Sequence, residues 1–188
     1  MTFRRGIPTI ALLVALTAFA ASVALRAAVK DFHFPEVRIE IAVSAEGAFT
    51  VDEFRTFDFR GSFTWATLWL PTRAEGPGGS RDVTVDDVAV SDEIGKPLSA
   101  DINRSAGRIE VKWYFEASNE RRTFHIHYRV SHGIVCYADA CELYWKAIGD
   151  GWDKRTDVAT VTVRLPVFRR PGETEMVSRP TVREPQLT

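Results

Sequence analysis

The sequence has little of the residue types that carry redox, metal and acid–base chemistry. Cys136 and Cys141 are the whole redox inventory, and four histidines are spread over 188 residues. It also lacks a basic excess, with 24 Lys and Arg against 25 Asp and Glu. Residues 1–28 hold Arg4, Arg5 and Arg26 and no acid, so beyond them 21 basic residues face 25 acidic ones, a net charge of −4. A nucleic-acid binder usually carries a positive excess, so no nucleic-acid partner is expected. Absent too are a phosphate-binding glycine loop, a dinucleotide fingerprint, His-Glu-x-x-His and Gly-x-Ser-x-Gly. No catalytic residue and no cofactor follow from what remains.

One long apolar run is present. Arg4 and Arg5 precede an uncharged stretch from Ile7 to Leu25, the order of a secretory signal. Small residues at Ser22-Val23-Ala24 or Arg26-Ala27-Ala28 would suit a cleavage site. The run is also about long enough to span a bilayer as a helix, which needs roughly 17–25 residues. Residues 1–30 are therefore expected to be a signal peptide or an uncleaved hydrophobic anchor helix. Either one places the rest of the chain outside the cytoplasm, attached to the membrane or released from it.

After Pro35 the apolar period is two. Val37 to Val43 alternates as a half-buried strand does. Ala45-Glu46-Gly47 supplies a turn, and a second strand from Phe49 to Phe59 completes a hairpin. Further strands are predicted over 63–70, 83–90, 108–115, 123–130, 141–148 and 158–165, with a flexible loop at 75–80. No amphipathic helix is expected after residue 31. Seven or eight short strands separated by turn signals point to an all-β domain over 36–166, an antiparallel β-sandwich of immunoglobulin-like or related type. Residues 167–188 hold three prolines and many charges, and a disordered tail is expected there.

Three groups of side chains invite a chemical reading. His125 and His127 share one strand face and could chelate zinc or copper, with His132 as a third ligand. No acid or cysteine sits at matching spacing in the sequence, so they read as polar-face residues and no metal is expected. Cys136 and Cys141 would close a small disulfide across a tight turn, worth about 2 kcal/mol in the chain-entropy model. A thiol nucleophile activated by His132 is the alternative. Asp139, Glu142, Asp150 and Asp153 surround Tyr144, Trp145 and Trp152. Aromatic rings beside carboxylates suit a sugar-binding surface, while the same residues would equally make a packed corner with an acidic turn.

The order of these segments resembles a known family. Phe124 to Val130 is followed by Tyr137, Asp139 and Glu142-Leu143-Tyr144-Trp145, then Ile148-Gly149-Asp150-Gly151-Trp152-Asp153, then Val161 to Pro166. Upstream, Gly47 to Glu53, Phe57-Asp58-Phe59 and Leu70-Pro71 fit as well. Over residues 36–166 this pattern is similar to the N-terminal extracytoplasmic domain of bacterial predicted membrane proteins called domain of unknown function 2207. The resemblance implies a signal segment, a β-sandwich outside the membrane and transmembrane helices after it. It supplies no catalytic residues. The sequence departs from the pattern at Lys154, where relatives commonly show proline, in its cysteine pair, and in having no second hydrophobic segment before Thr188. The resulting expectation is a non-catalytic binding module of the cell envelope, with an envelope protein or a glycan as partner. Carbohydrate binding or processing at Tyr144, Trp145 and Trp152 is the alternative.

Overall fold

The computed structural model describes residues 30–76, 79–138, 140–149 and 153–166. The run 7–25, the tail 167–188, Asp139, Asp150 and Trp152 lie outside the described residues. Among the described residues no helix is long and apolar enough to cross a membrane.

Period-two alternation becomes two facing sheets. The larger contains β1 (Asp31–Val43), β2 (Phe49–Arg60), β6 (Thr84–Ser91), β9 (Arg121–Ser131) and β12 (Thr156–Arg164), in the order β12-β1-β2-β9-β6. The smaller contains β3 (Ser62–Pro71), β7 (Ala100–Ser105) and β8 (Arg108–Ser118), in the order β3-β8-β7. Two short ribbons complete the set: β4 (Arg73–Gly76) with β5 (Gly79–Asp82), and β10 (Ile134–Cys136) with β11 (Cys141–Leu143). The all-β expectation is met. The purely antiparallel expectation is not, because β12 runs parallel to β1, pairing Phe34 with Thr156 and Ala42 with Arg164. An alternating strand shows which face it buries but not the direction of its neighbour.

Three local features shape the frame. Pro35 has no N–H to give to a ladder, and the β1–β2 register shifts between His33 and Glu36 around it. This shift lets one long strand pass through a proline that would otherwise end it. Gly61, at φ 87°, turns the chain from the larger sheet into the smaller one. Its N–H donates to Asn119 Oδ1 at 2.8 Å, which fastens that turn to the β8–β9 connection.

The inner faces meet in one aromatic core. Phe57 lies 4.8 Å from Phe34, 5.1 Å from Phe59, 5.4 Å from Phe124 and 6.3 Å from Trp113 between ring centroids. Trp113 belongs to the smaller sheet and the phenylalanines to the larger, so these contacts join the layers. Strict alternation along β2 also carries two charged residues inward, between Val51 and Phe57. Glu53 and Arg55 are 2% and 1% exposed. Arg55 Nε donates to Glu53 Oε1 at 2.6 Å, and the guanidinium lies 4.7 Å from the Phe34 ring centre. Burial, and then the Glu53 charge, push the Tyr128 hydroxyl well above its ordinary pKa.

The predicted seventh strand, 141–148, is shorter than expected. Only Cys141–Leu143 pairs, and residues 144–146 leave the ladder. The reason is packing: Trp145 turns inward against Phe49, 5.3 Å away, and closes the end of the core with Ile134, Leu143 and Ala147.

Candidate functional site

The residues singled out in the sequence divide between a packed corner and an open face. At the corner, Cys136 and Cys141 stand opposite each other on the β10–β11 ribbon, 4.0 Å apart at Cα, and form a disulfide. With both sulfurs bonded, neither is a nucleophile. Trp145 is half-buried against Phe49 and Tyr128. Tyr144 is 51% exposed, and Glu142 and Asp153 are exposed as well. The corner therefore presents Tyr144, Glu142 and Asp153 to solvent, with the Trp145 ring committed to packing.

The outer face of the larger sheet brings together residues that are distant in the sequence. Phe124, Ile126, Tyr128 and Val130 are buried, which leaves His125 and His127 on the opposite, polar face. Register pairs Asp52 of β2 directly with His127. His125 Nε2 lies 2.7 Å and His127 Nδ1 2.8 Å from the same oxygen, Asp52 Oδ1. Asp52 was not legible as a partner because 73 residues separate it from His125. The signal that points to it is its inclusion, by alternation, on the polar face of the strand beside β9. His132, by contrast, sits in a turn at φ 64° and does not join the group.

Packing fixes this group from one side. The His125 ring stacks on Phe54 at 4.4 Å with 5° between planes, and the Arg38 guanidinium covers Phe54 at 3.9 Å. A cleft of about 410 Å³ opens beside them, lined among others by Glu36, Asp92, Thr123 and His125. Burial raises the pKa of Asp52, but hydrogen bonds from His127 and His125, with their charges, more than reverse this and hold the carboxyl below its ordinary range. Such a group stabilises the fold above its unfolded pKa, and that contribution is lost as the pH falls through the depressed folded value. Urea unfolding in chelator-treated buffer from about pH 6 to pH 2 should therefore show a steeper acid loss for the wild type than for Asp52→Asn. Parallel curves would mean that the histidines do not hold the carboxylate in its charged form.

The smaller sheet offers a different surface. On its outer side Trp65, Trp69 and Tyr114 are 52%, 41% and 38% exposed. Trp65 stands opposite Tyr114 in the β3–β8 ladder. Lys112 Nζ lies 4.6 Å from the Trp65 ring centre and 5.4 Å from that of Tyr114, and the Arg108 guanidinium lies 3.5 Å from Trp69. The Tyr114 hydroxyl donates to Asp101 at 2.6 Å, which fixes its ring on the sheet. No motif in the sequence marked these residues. Trp65 and Trp69 alternate with buried Ala66, Leu68 and Leu70, and Arg108, Lys112 and Tyr114 with buried Ile109, Val111, Trp113 and Phe115; that alternation alone would have placed them outside.

Comparison with known proteins bears on the chain as a whole. The family model described as "Predicted membrane protein (DUF2207) N-terminal domain" matches residues 34–187. The chain belongs to this family. The match takes in both sheets, the Asp52 group, the disulfide ribbon and the exposed aromatic face. As a family of predicted membrane proteins, it supports membrane association for this chain. No curated protein matches the sequence. Among solved structures, yeast LTA4 hydrolase in complex with bestatin is similar at 15% identity and a TM-score of 0.38, covering 62% of this chain and 19% of that one. Native leukotriene A4 hydrolase from Saccharomyces cerevisiae is similar at 17% identity and a TM-score of 0.36, covering 60% and 17%. The chain thus spans less than a fifth of either enzyme, and likenesses this distant carry no functional argument.

Proposed function

We propose that the chain is a non-catalytic interaction module of the cell envelope, placed outside the cytoplasm and held at the membrane, and that its contact face is the outer side of the smaller sheet. The observation that carries this reading is the exposure of Trp65, Trp69 and Tyr114 on one sheet face beside Lys112 and Arg108. Large aromatic rings in water are costly to leave uncovered, and Trp, Tyr and Arg are the residues enriched where proteins meet. Membership in a family of predicted membrane proteins supports the membrane setting. The uncharged run 7–25 and the Cys136–Cys141 disulfide support an oxidising compartment beyond it. The partner of this reading is an envelope protein.

Site-specific photo-crosslinking in intact cells tests it. A photoreactive side chain at Thr67, between the two tryptophans, should give one discrete adduct with an envelope protein. That adduct should disappear in a folded Trp65→Ala/Trp69→Ala variant, and the same probe at Thr50, on the far face, should give none. Equal adducts from both faces, or none from Thr67, would sink the reading. Retention of the chain on peptidoglycan that is lost with the same double substitution would replace the protein partner with a glycan.

A further inference from the structure

We propose that Asp52, His125 and His127 form a binding site for a divalent first-row transition metal, of which zinc is the simplest representative. The site lies on the larger sheet, on the opposite side of the domain from the contact face, and stands independently of it.

The donor set is the first argument. Two imidazoles and one carboxylate suit Zn²⁺, Cu²⁺, Ni²⁺ or Fe²⁺, and the arrangement leaves coordination positions open. All three ligand atoms lie within 4.8 Å of one another. Ligands held at about 2.0–2.2 Å around one ion stand roughly 3–3.5 Å apart. The two Asp52 to histidine separations, 2.7 and 2.8 Å, are already within a few tenths of an ångström of that spacing, and the two imidazole nitrogens, within 4.8 Å of each other, have the larger distance to close. Rotation of both imidazole rings and of the Asp52 carboxylate would draw the three atoms around one ion.

Preorganisation is the second. The ligands stand on β2 and β9, two adjacent strands flanked on both sides by others, so the backbone beneath them is fixed. His125 is held further by its stack on Phe54. The side chains are 30%, 36% and 34% exposed for His125, His127 and Asp52, enough for an ion to enter from solvent. Without metal, each histidine nitrogen facing Asp52 shares its position with a proton. On binding, a neutral imidazole carries that proton on its other ring nitrogen and gives the freed lone pair to the ion. A protonated imidazole releases one proton to solvent. The neighbouring charges are mixed: Glu36 and Asp92 line the adjoining cleft, while Arg38 sits over Phe54 and Arg129 follows two residues after His127 on the same strand.

The test uses the full chain purified in mild detergent, stripped with chelator and titrated calorimetrically with Zn²⁺. One ion per chain at micromolar affinity or tighter is expected. Asp52→Asn and His127→Ala, checked for folding by thermal melts, should each weaken binding about tenfold or more, at least the loss seen when a residue that only hydrogen-bonds to a metal ligand is removed. His132→Ala should bind as the wild type does. Histidine ring NMR of the unmodified chain keeps the test open if a variant fails to fold: zinc should move the His125 and His127 resonances and leave His132 in place. Absence of zinc uptake overturns the proposal, as does wild-type affinity in folded Asp52→Asn and His127→Ala, or ring shifts confined to other histidines.

Discussion

Replacing Arg55 with methionine should destabilise the domain by about 3–5 kcal/mol, although no apolar contact of similar size is lost. The substitution leaves Glu53, 2% exposed, in the core without the guanidinium that pairs with it. An unpaired buried carboxylate is far more costly than a lost ion pair, because its hydration has been given up with nothing in return. Two further results separate this cause from a simple packing defect. The penalty should shrink in acid, where a carboxyl can enter the core neutral. The double variant Glu53→Leu/Arg55→Met should recover part of the loss, read directly against wild type by urea unfolding followed by circular dichroism. A single-variant loss below about 1 kcal/mol, or a double variant as weak as the single one, would contradict this account of the pair.

Phe57→Ala should cost a comparable amount, about 3–5 kcal/mol, by a different route. Phe57 is fully buried and has ring partners on β1, β2, β8 and β9. Its removal takes away the transfer free energy of one large ring and leaves a cavity that neighbours fixed in four strands cannot easily fill. The edge-to-face contacts with Phe34, Trp113 and Phe124 add to the loss. Thermal unfolding should fall by about 10 °C or more. Phe57→Leu keeps part of the volume and should lose clearly less. Equal losses for the two variants would mean that ring volume is not what holds the layers together there.

What was legible in the sequence follows from which forces are local. The hairpin of β1 and β2 and the strands β3, β8 and β9 bury alternate residues over most of their length, and burial writes a period of two into the chain; β6 keeps Val85 and Val90 inside across a register shift. β7 was missed because its residues are almost all exposed, so nothing imposes alternation on Ala100–Ser105. The β4–β5 ribbon looks like a loop in the sequence because glycine and proline there carry no apolar pattern. The Cys136–Cys141 pair was legible because its closure needs only five residues of chain. Asp52 beside His125 and His127 was not, since register between β2 and β9 decides it. For Trp145 the packed-corner reading was legible, while its ring partners Phe49 and Tyr128, which come from elsewhere in the chain, were not.

The parallel pairing of β12 with β1 has a consequence for the order in which the domain can assemble. Lys154 and Asp31, whose ion pair at 2.7 Å clasps the start of that ladder, are 123 residues apart in sequence. Hairpin partners meet soon after they are made, but β1 must wait for nearly the whole domain to emerge before its second side is covered. Contacts of such long range are slow to form, because loop closure must be completed before any bond rewards it. During that interval the outer edge of β1 offers a row of unpaired N–H and C=O groups to any other extended chain. The first strand of the domain to be synthesised is thus the last to be finished, and β12 serves as its closing cover.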